Sequence, residues 1–233
     1  MFDTWQSEKV NYDIYFAGSQ LYFYRFLHDM KDFHFLLDKT TVRPHFRVHS
    51  YTEGSIPKSS DCYADGKYCI FTDIPATGRQ ILTEHLRQIC ILNRNVDFVS
   101  SKDSATRIYD SESWFRYVSE YFNHNCDGSN EGCSYNAMSR AGINSGAVQR
   151  CVENAVERDS LTKDETIPFF DYEIQDWNRT WNTVMYPAIT INRMYYKGNL
   201  IAEEVFRMIC ASYETQPQGC VDYYRPPEEP KQE

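Results

Sequence analysis

Val184 to Leu200, VMYPAITINRMYYKGNL, reads as a proline-headed strand (Pro187 to Ile191), a tight Asn192-Arg193 turn, a second strand (Met194 to Lys197), and Gly198 opening a helix. Proline has no N–H to give a sheet ladder, so inside a sheet it is confined to a few positions, the first residue of a strand among them. The tertiary amide also reduces the trans preference of an X-Pro bond to about 0.5–1 kcal/mol, which makes Pro187 a candidate structural cis-proline.

The other end of the chain supplies a matching half. Val10 to Phe16, VNYDIYF, alternates and is rich in residues that favour strands. Gly18-Ser19 breaks it, and Leu21 to Asp38 carries Leu21, Tyr24, Leu27, Phe33, Leu36 and Leu37 at helical spacing. Val42 to Tyr51 alternates again and predicts a second strand, so the unit is β-α-β with parallel strands and a right-handed crossover. That unit, followed later by a proline-headed hairpin and a closing helix, is the order of an α/β thioredoxin-like fold.

Between the halves, helical periodicity recurs over 78–92, 111–124, 133 to about 141, and 145 to about 158, with Asn144-Ser145 as a cap for the last. This block, about 78–160, reads as a helical insertion. Residues 52–79 are turn-rich, and 159–183 are polar and aromatic with the look of a loop. The expected organisation is a tail over 1–8, one domain over 9–221, and a Pro- and charge-rich tail over 222–233.

The 24 basic and 33 acidic residues leave a net charge of −9, which repels phosphate backbones and argues against nucleic acid as a partner. No stretch reaches the roughly 18 consecutive apolar residues of a membrane span, so membrane contact is expected only through partners. Eight cysteines, Cys62, Cys69, Cys90, Cys126, Cys133, Cys151, Cys210 and Cys220, are spread along the chain. The even count predicts up to a full set of disulfides in an oxidising compartment. The first ten residues, MFDTWQSEKV, show neither a basic region nor an apolar core of a leader. On that ground the mitochondrial intermembrane space is favoured over the secretory lumen.

Redox catalysis on such a fold needs a low-pKa thiolate at the start of the first helix. That position, Ala17 to Leu21, reads AGSQL and has no cysteine. Cys62 and Cys69, like Cys126 and Cys133, lie too far apart for the usual zinc pair. Asp127, Ser129 and Glu131 make only half a calcium loop. The expectations are therefore no metal, no cofactor and no enzymatic activity. Asn178-Arg179-Thr180 matches a glycosylation acceptor, a short pattern that decides nothing alone. Aromatic residues on loops serve as interface anchors. Phe169, Phe170, Tyr172, Trp177 and Trp181 are accordingly the expected partner-binding cluster.

Several segments together resemble one family. They are VNYDIYF, FLHDMKDFHFLLDK, FRVHSY, DGKYC ending at Cys69, EHLRQICIL around Cys90, SWFRYVSEYFNHNC ending at Cys126, and YPAITINRMYYKGNL. With the cysteines in order, roughly residues 9 to 221 resemble the central luminal, thioredoxin-like region of vacuolar sorting receptors. The resemblance implies a protein-binding use. It does not bring the protease-associated domain, growth-factor-like repeats, membrane helix or sorting tail of those receptors.

By neighbourhood, Cys62 is expected to pair with Cys69 and Cys210 with Cys220. Cys90–Cys126 and Cys133–Cys151 would then join adjacent helices. The leading functional expectation is a structural accessory subunit of a larger protein assembly. The alternative is the cargo-binding part of a sorting receptor that recognises peptide signals. In either case the partners are protein subunits or peptide cargo, met by the aromatic cluster, the sheet edge and the two tails.

Overall fold

The computed structural model describes residues 6–37, 40–50, 59–93, 111–162, 164–180 and 186–225. Its centre is a four-stranded sheet in the order β2-β1-β7-β8, built from Val10–Phe16 (β1), Thr40–Phe46 (β2), Ala188–Ile191 (β7) and Met194–Tyr195 (β8). β1 and β2 are parallel, with Tyr12 opposite Val42 and Phe16 opposite Phe46. β7 runs antiparallel to β1, with Ile14 opposite Ile189, and β8 pairs antiparallel with β7. The parallel pair needs a crossover, and Leu21–His34 (α1) supplies it. Asn192 and Arg193 both take positive φ, 47° and 67°, as a two-residue hairpin turn of the primed type requires. The Tyr186-Pro187 bond is cis.

Pairing and alternation give the sheet two unlike faces. Tyr12, Ile14, Phe16, Val42 and Phe46 project to one side and are almost wholly buried. Phe16 meets Phe23 and Tyr24 of α1, and also Trp114 of Ser111–Asn123 (α3). The closing helix, Ala202–Ala211 (α7), packs on α1 through Phe206 and Phe33. Asp13, Tyr15, Arg43, His45 and Thr190 project to the other face, which is polar and aromatic.

That polar face is covered by Pro168–Thr180 (α6), a helix where the sequence suggested a loop. Proline at the first helical position, Asp171 in the first turn, and Phe170, Ile174 and Trp177 at helical spacing explain why it forms. α6 sets Glu173 and Asp176 beside His45, at 3.2 and 3.5 Å. His45 is also 3.6 Å from Asp13, which Arg43 pairs at 3.2 Å and Thr190 reaches with its hydroxyl at 2.8 Å. Burial alone would lower the His45 pKa, but Glu173 and Asp13 outweigh it and hold the imidazole up at about 10. Burial would raise Asp13, and His45, Arg43 and Thr190 turn that into a net lowering. A charged imidazole therefore bridges sheet and helix.

The helices between the two halves of the sheet are Gly78–Leu92 (α2), α3, Glu131–Arg140 (α4) and Ser145–Asn154 (α5). They centre on a buried carboxylate. Glu84 accepts from the Tyr117 hydroxyl at 2.6 Å, the Ser134 hydroxyl at 2.8 Å and the Gln88 amide at 3.2 Å, with Arg87 at 3.5 Å. Desolvation raises its pKa, and these partners offset part of the rise. Short strands Cys62–Tyr63 (β3) and Tyr68–Cys69 (β4) form one hairpin, and Glu157–Arg158 (β5) and Glu165–Thr166 (β6) another. Gln218–Tyr224 (α8) ends the described chain.

All eight cysteines are oxidised: Cys62–Cys69, Cys90–Cys151, Cys126–Cys133 and Cys210–Cys220. The expected Cys90–Cys126 and Cys133–Cys151 pairs are corrected. α2 packs on α5, which puts Cys90 beside Cys151 (Cα–Cα 6.0 Å), while Cys126 and Cys133 close the short turn between α3 and α4.

The β2 edge is blunted against strand addition. Arg47 N–H bonds the Phe16 carbonyl, so Val42, Pro44 and Phe46 present their backbone outward by alternation. Pro44 has no N–H to offer, and Glu173 accepts from the Phe46 N–H at 3.3 Å. This edge is a poor place for the contacts expected of it. Residues 1–5 and 226–233 of the expected tails lie outside the described residues.

Candidate functional site

β1 ends at Phe16, and the chain turns through Ala17, Gly18 and Ser19 into α1. Gly18 N–H donates to His85 Nε2 at 2.8 Å, and a Cβ at this position would sit 2.8 Å from the same nitrogen. His85 is fully buried and desolvation pushes its pKa down to about 3, so the ring is neutral and able to accept. Gln20 then bridges two elements: its Oε1 accepts from Ala17 N–H at 3.0 Å, and its Nε2 donates to the Tyr186 carbonyl at 3.0 Å. The start of α1 is thereby tied to the cis-proline loop.

A second strut holds the facing wall. The β3–β4 hairpin, closed by Cys62–Cys69, is joined to the chain beyond β2 by two bonds, His49 N–H to the Cys69 carbonyl (2.8 Å) and Cys69 N–H to the His49 carbonyl (2.9 Å). The segment leaving that hairpin, Phe71 to Ile74, is aimed at α1. It is fixed downstream by Gly78, where a Cβ would lie 2.0 Å from the Ile70 carbonyl oxygen.

Between these walls lies an open cleft of about 640 Å³, lined by Ser19, Gln20, Leu21, Tyr22, Arg47, Phe71, Thr72, Asp73 and Ile74. Its apolar side chains are presented to solvent: Tyr22 is 66% exposed, Phe71 56% and Leu21 37%. Arg47 emerges just past β2, its guanidinium carbon 5.4 Å from the Tyr186 ring centroid and its Nε 2.8 Å from His49 Nε2. Burial and the Arg47 charge both lower the His49 pKa, so this imidazole accepts. Trp177 stacks on Tyr186 at 5.2 Å. Exposed apolar surface and one guanidinium equip the cleft to hold an extended chain.

The sequence-predicted aromatic cluster is only partly here. Phe169 and Phe170 are buried, Phe170 against Tyr68, because the first turn of α6 faces the core. They are core residues and not interface anchors, a correction to the loop reading. Tyr172 and Trp177 are half-buried, and Trp177 reaches the proline loop. Trp181 lies outside the described residues, as do the side chains of Asn178, Arg179 and Thr180. Arg47 and the Phe71–Ile74 wall were missed. Among the described residues, no group of three or more His, Cys, Asp or Glu is placed to hold a metal ion. No helix among them is long and apolar enough to cross a membrane.

Comparison with solved structures bears on the fold. An oxidised Mtb DsbA superposes with a TM-score of 0.50 at 10% identity, covering 95% of this chain and 93% of that one. MdbA, a thiol-disulfide oxidoreductase from Corynebacterium diphtheriae, follows at 0.48 and 9%, covering 89% and 86%. The likeness establishes the fold. The expectation that the chain is not an enzyme is withdrawn, because the fold it rested on is shared with the Mtb DsbA.

Among curated proteins, vacuolar-sorting receptor 5 of Arabidopsis thaliana is 24% identical over 223 residues, 84% of this chain. The chain spans 32% of that receptor's length. The match does not extend to a mitochondrial placement, and the four disulfides support only an oxidising compartment. Residues 11–210 match the family described as vacuolar sorting receptor thioredoxin-like domain, and the chain belongs to that family.

Proposed function

We propose that this domain binds an extended segment of a protein ligand in the cleft between the start of α1 and the Phe71–Ile74 wall, as a receptor-type module in the endomembrane lumen. The observation that carries the reading is the open, apolar-walled cleft, along which Leu21, Tyr22 and Phe71 are partly exposed. Exposed aromatic side chains at a concave site are the preferred anchors of protein recognition. Family membership and the disulfides support the luminal setting.

The test is fluorescence polarisation with a panel of labelled, capped apolar peptides, on the wild-type chain and on Tyr22→Ser and Phe71→Ser. Both side chains are exposed, so these variants keep the fold. Binding that weakens about tenfold in each supports the reading, since losing one buried aromatic anchor costs upwards of about 1–2 kcal/mol. Binding unchanged by both variants, or none to any peptide, contradicts it.

A second reading, an accessory subunit docked in an assembly, draws on a different surface. Phe35, Leu36, Val221, Tyr223 and Tyr224 are exposed around the far end of α1 and α8. Tyr223 packs on Phe33 and Phe206, which makes this a firm apolar patch. Native sizing in a gentle extract separates the two readings. Salt-resistant migration with a large complex, lost in Tyr224→Ser, supports the subunit.

A further inference from the structure

The cleft contains a cation that no carboxylate neutralises among the described residues. Arg43 pairs with Asp13, and Arg87 with Glu84 and Glu131. Arg47 instead sits against the Tyr186 ring and donates from Nε to His49, and it enters no ion pair among the described residues. Among the described residues no hydrogen bond engages its two terminal nitrogens, which can meet a planar acceptor, the geometry that suits a carboxylate. A half-buried guanidinium already fixed by a ring and an imidazole loses little further freedom when a ligand arrives.

The start of α1 adds to that sign of charge, while the lining's one carboxylate, Asp73, opposes it. Ser19, Gln20, Leu21 and Tyr22 bring the N-terminal end of the 14-residue α1 to the same space. The first turn has no acidic residue and Gln20 makes no side-chain cap, so the positive end of the helix dipole is unscreened there. Asp73, exposed on the facing wall, opposes a second negative charge, and the net charge of −9 disfavours polyacidic ligands. The cleft is open, so a chain can pass through it and need not end in it.

We propose that the ligand is an extended peptide whose single internal Asp or Glu side chain engages Arg47, with flanking apolar side chains against Leu21, Tyr22 and Phe71. This rests on the peptide-binding reading above and adds its charge requirement.

The test uses the full chain and three fluorescein-labelled peptides of equal length. One is capped at both ends with a single glutamate between leucines. The second is its glutamine counterpart, and the third is the glutamine peptide with a free C-terminal carboxylate. On the wild-type chain at low salt, the glutamate peptide is expected to bind about tenfold tighter than the capped glutamine peptide, the worth of one charge-assisted contact. Arg47→Met removes that preference and Arg47→Lys retains part of it, while Phe71→Ser weakens both capped peptides alike. Equal binding of the two capped peptides to wild type overturns the charge requirement and leaves the peptide-binding reading standing. Preference for the free carboxylate overturns the internal acidic residue in favour of a chain terminus. Failure of every peptide overturns both readings. The wild-type comparison of glutamate with glutamine decides the matter even if Arg47→Met does not fold.

Discussion

Gln20 and Tyr186, 166 positions apart, are joined by one hydrogen bond of 3.0 Å from the Gln20 side-chain amide to the Tyr186 carbonyl. The same side chain accepts from Ala17 N–H, so one residue fixes both the turn into α1 and the loop entering β7. Arg47 lies against the ring of that same Tyr186, and Trp177 stacks on it. The candidate cleft is thus held by contacts between three separate parts of the chain.

Replacing Gln20 by Ala removes both bonds. At about 1 kcal/mol net for each, the expected loss is about 1–2 kcal/mol, read as a lower urea midpoint with an unchanged slope. Peptide affinity should fall by more than the same substitution at Ser19 causes, because the proline loop is no longer tied to the helix.

Glu84 should be the most sensitive polar position in the helical block. Glu84→Ala strands the Tyr117 and Ser134 hydroxyls and leaves Arg87, itself 3% exposed, without its buried partner. Removing one member of a buried ionic network costs about 3–5 kcal/mol, so a large fall in melting temperature is expected. Glu84→Gln, which keeps an acceptor, should cost less.

His45 gives a pH signature at the alkaline end. Its folded pKa of about 10 lies above its ordinary value near 6.5. Its contribution is therefore complete below about 6.5 and lost as pH rises through about 10. The stability difference between wild type and His45→Gln should be widest near pH 6 and shrink between about pH 6.5 and 10, as measured by urea unfolding across pH. A difference that grows with pH would contradict the charged bridge between β2 and α6.

The disulfides should rank by the loops they close. Cys90–Cys151 spans 61 positions and Cys126–Cys133 spans 7. Loop-closure entropy assigns about 4 kcal/mol to the first and about 2–3 kcal/mol to the second. Paired alanine substitutions compared by thermal unfolding should show that order.

Much of this fold could be read from local pattern. β1 and β2 show alternation, the Pro187 hairpin shows its turn residues, and the near pairs Cys62–Cys69 and Cys210–Cys220 follow from closeness along the chain. Cys90–Cys151 could not be read that way, since it depends on α2 packing against α5, a tertiary fact. α6 was hidden because charged and aromatic residues fill its surface, although Pro168 and the spacing of Phe170, Ile174 and Trp177 did mark it. The site was legible only at the AGSQL turn. Arg47 reaches it through the parallel register of β1 with β2, and Phe71 to Ile74 through the bridge from His49 to Cys69. The parallel pairing was foreseeable from alternation, but its register and the bridge from His49 to Cys69 leave no trace in residue spacing.

The most direct test of the cleft as the binding site is amide NMR of the isotope-labelled chain, titrated with the capped glutamate peptide. The account predicts shifts concentrated at Gly18 to Tyr22, Arg47, Phe71 to Ile74 and Tyr186, saturating with one affinity. Shifts confined to α7 and α8 around Met208, Val221 and Tyr224, or none at saturating peptide, would contradict it.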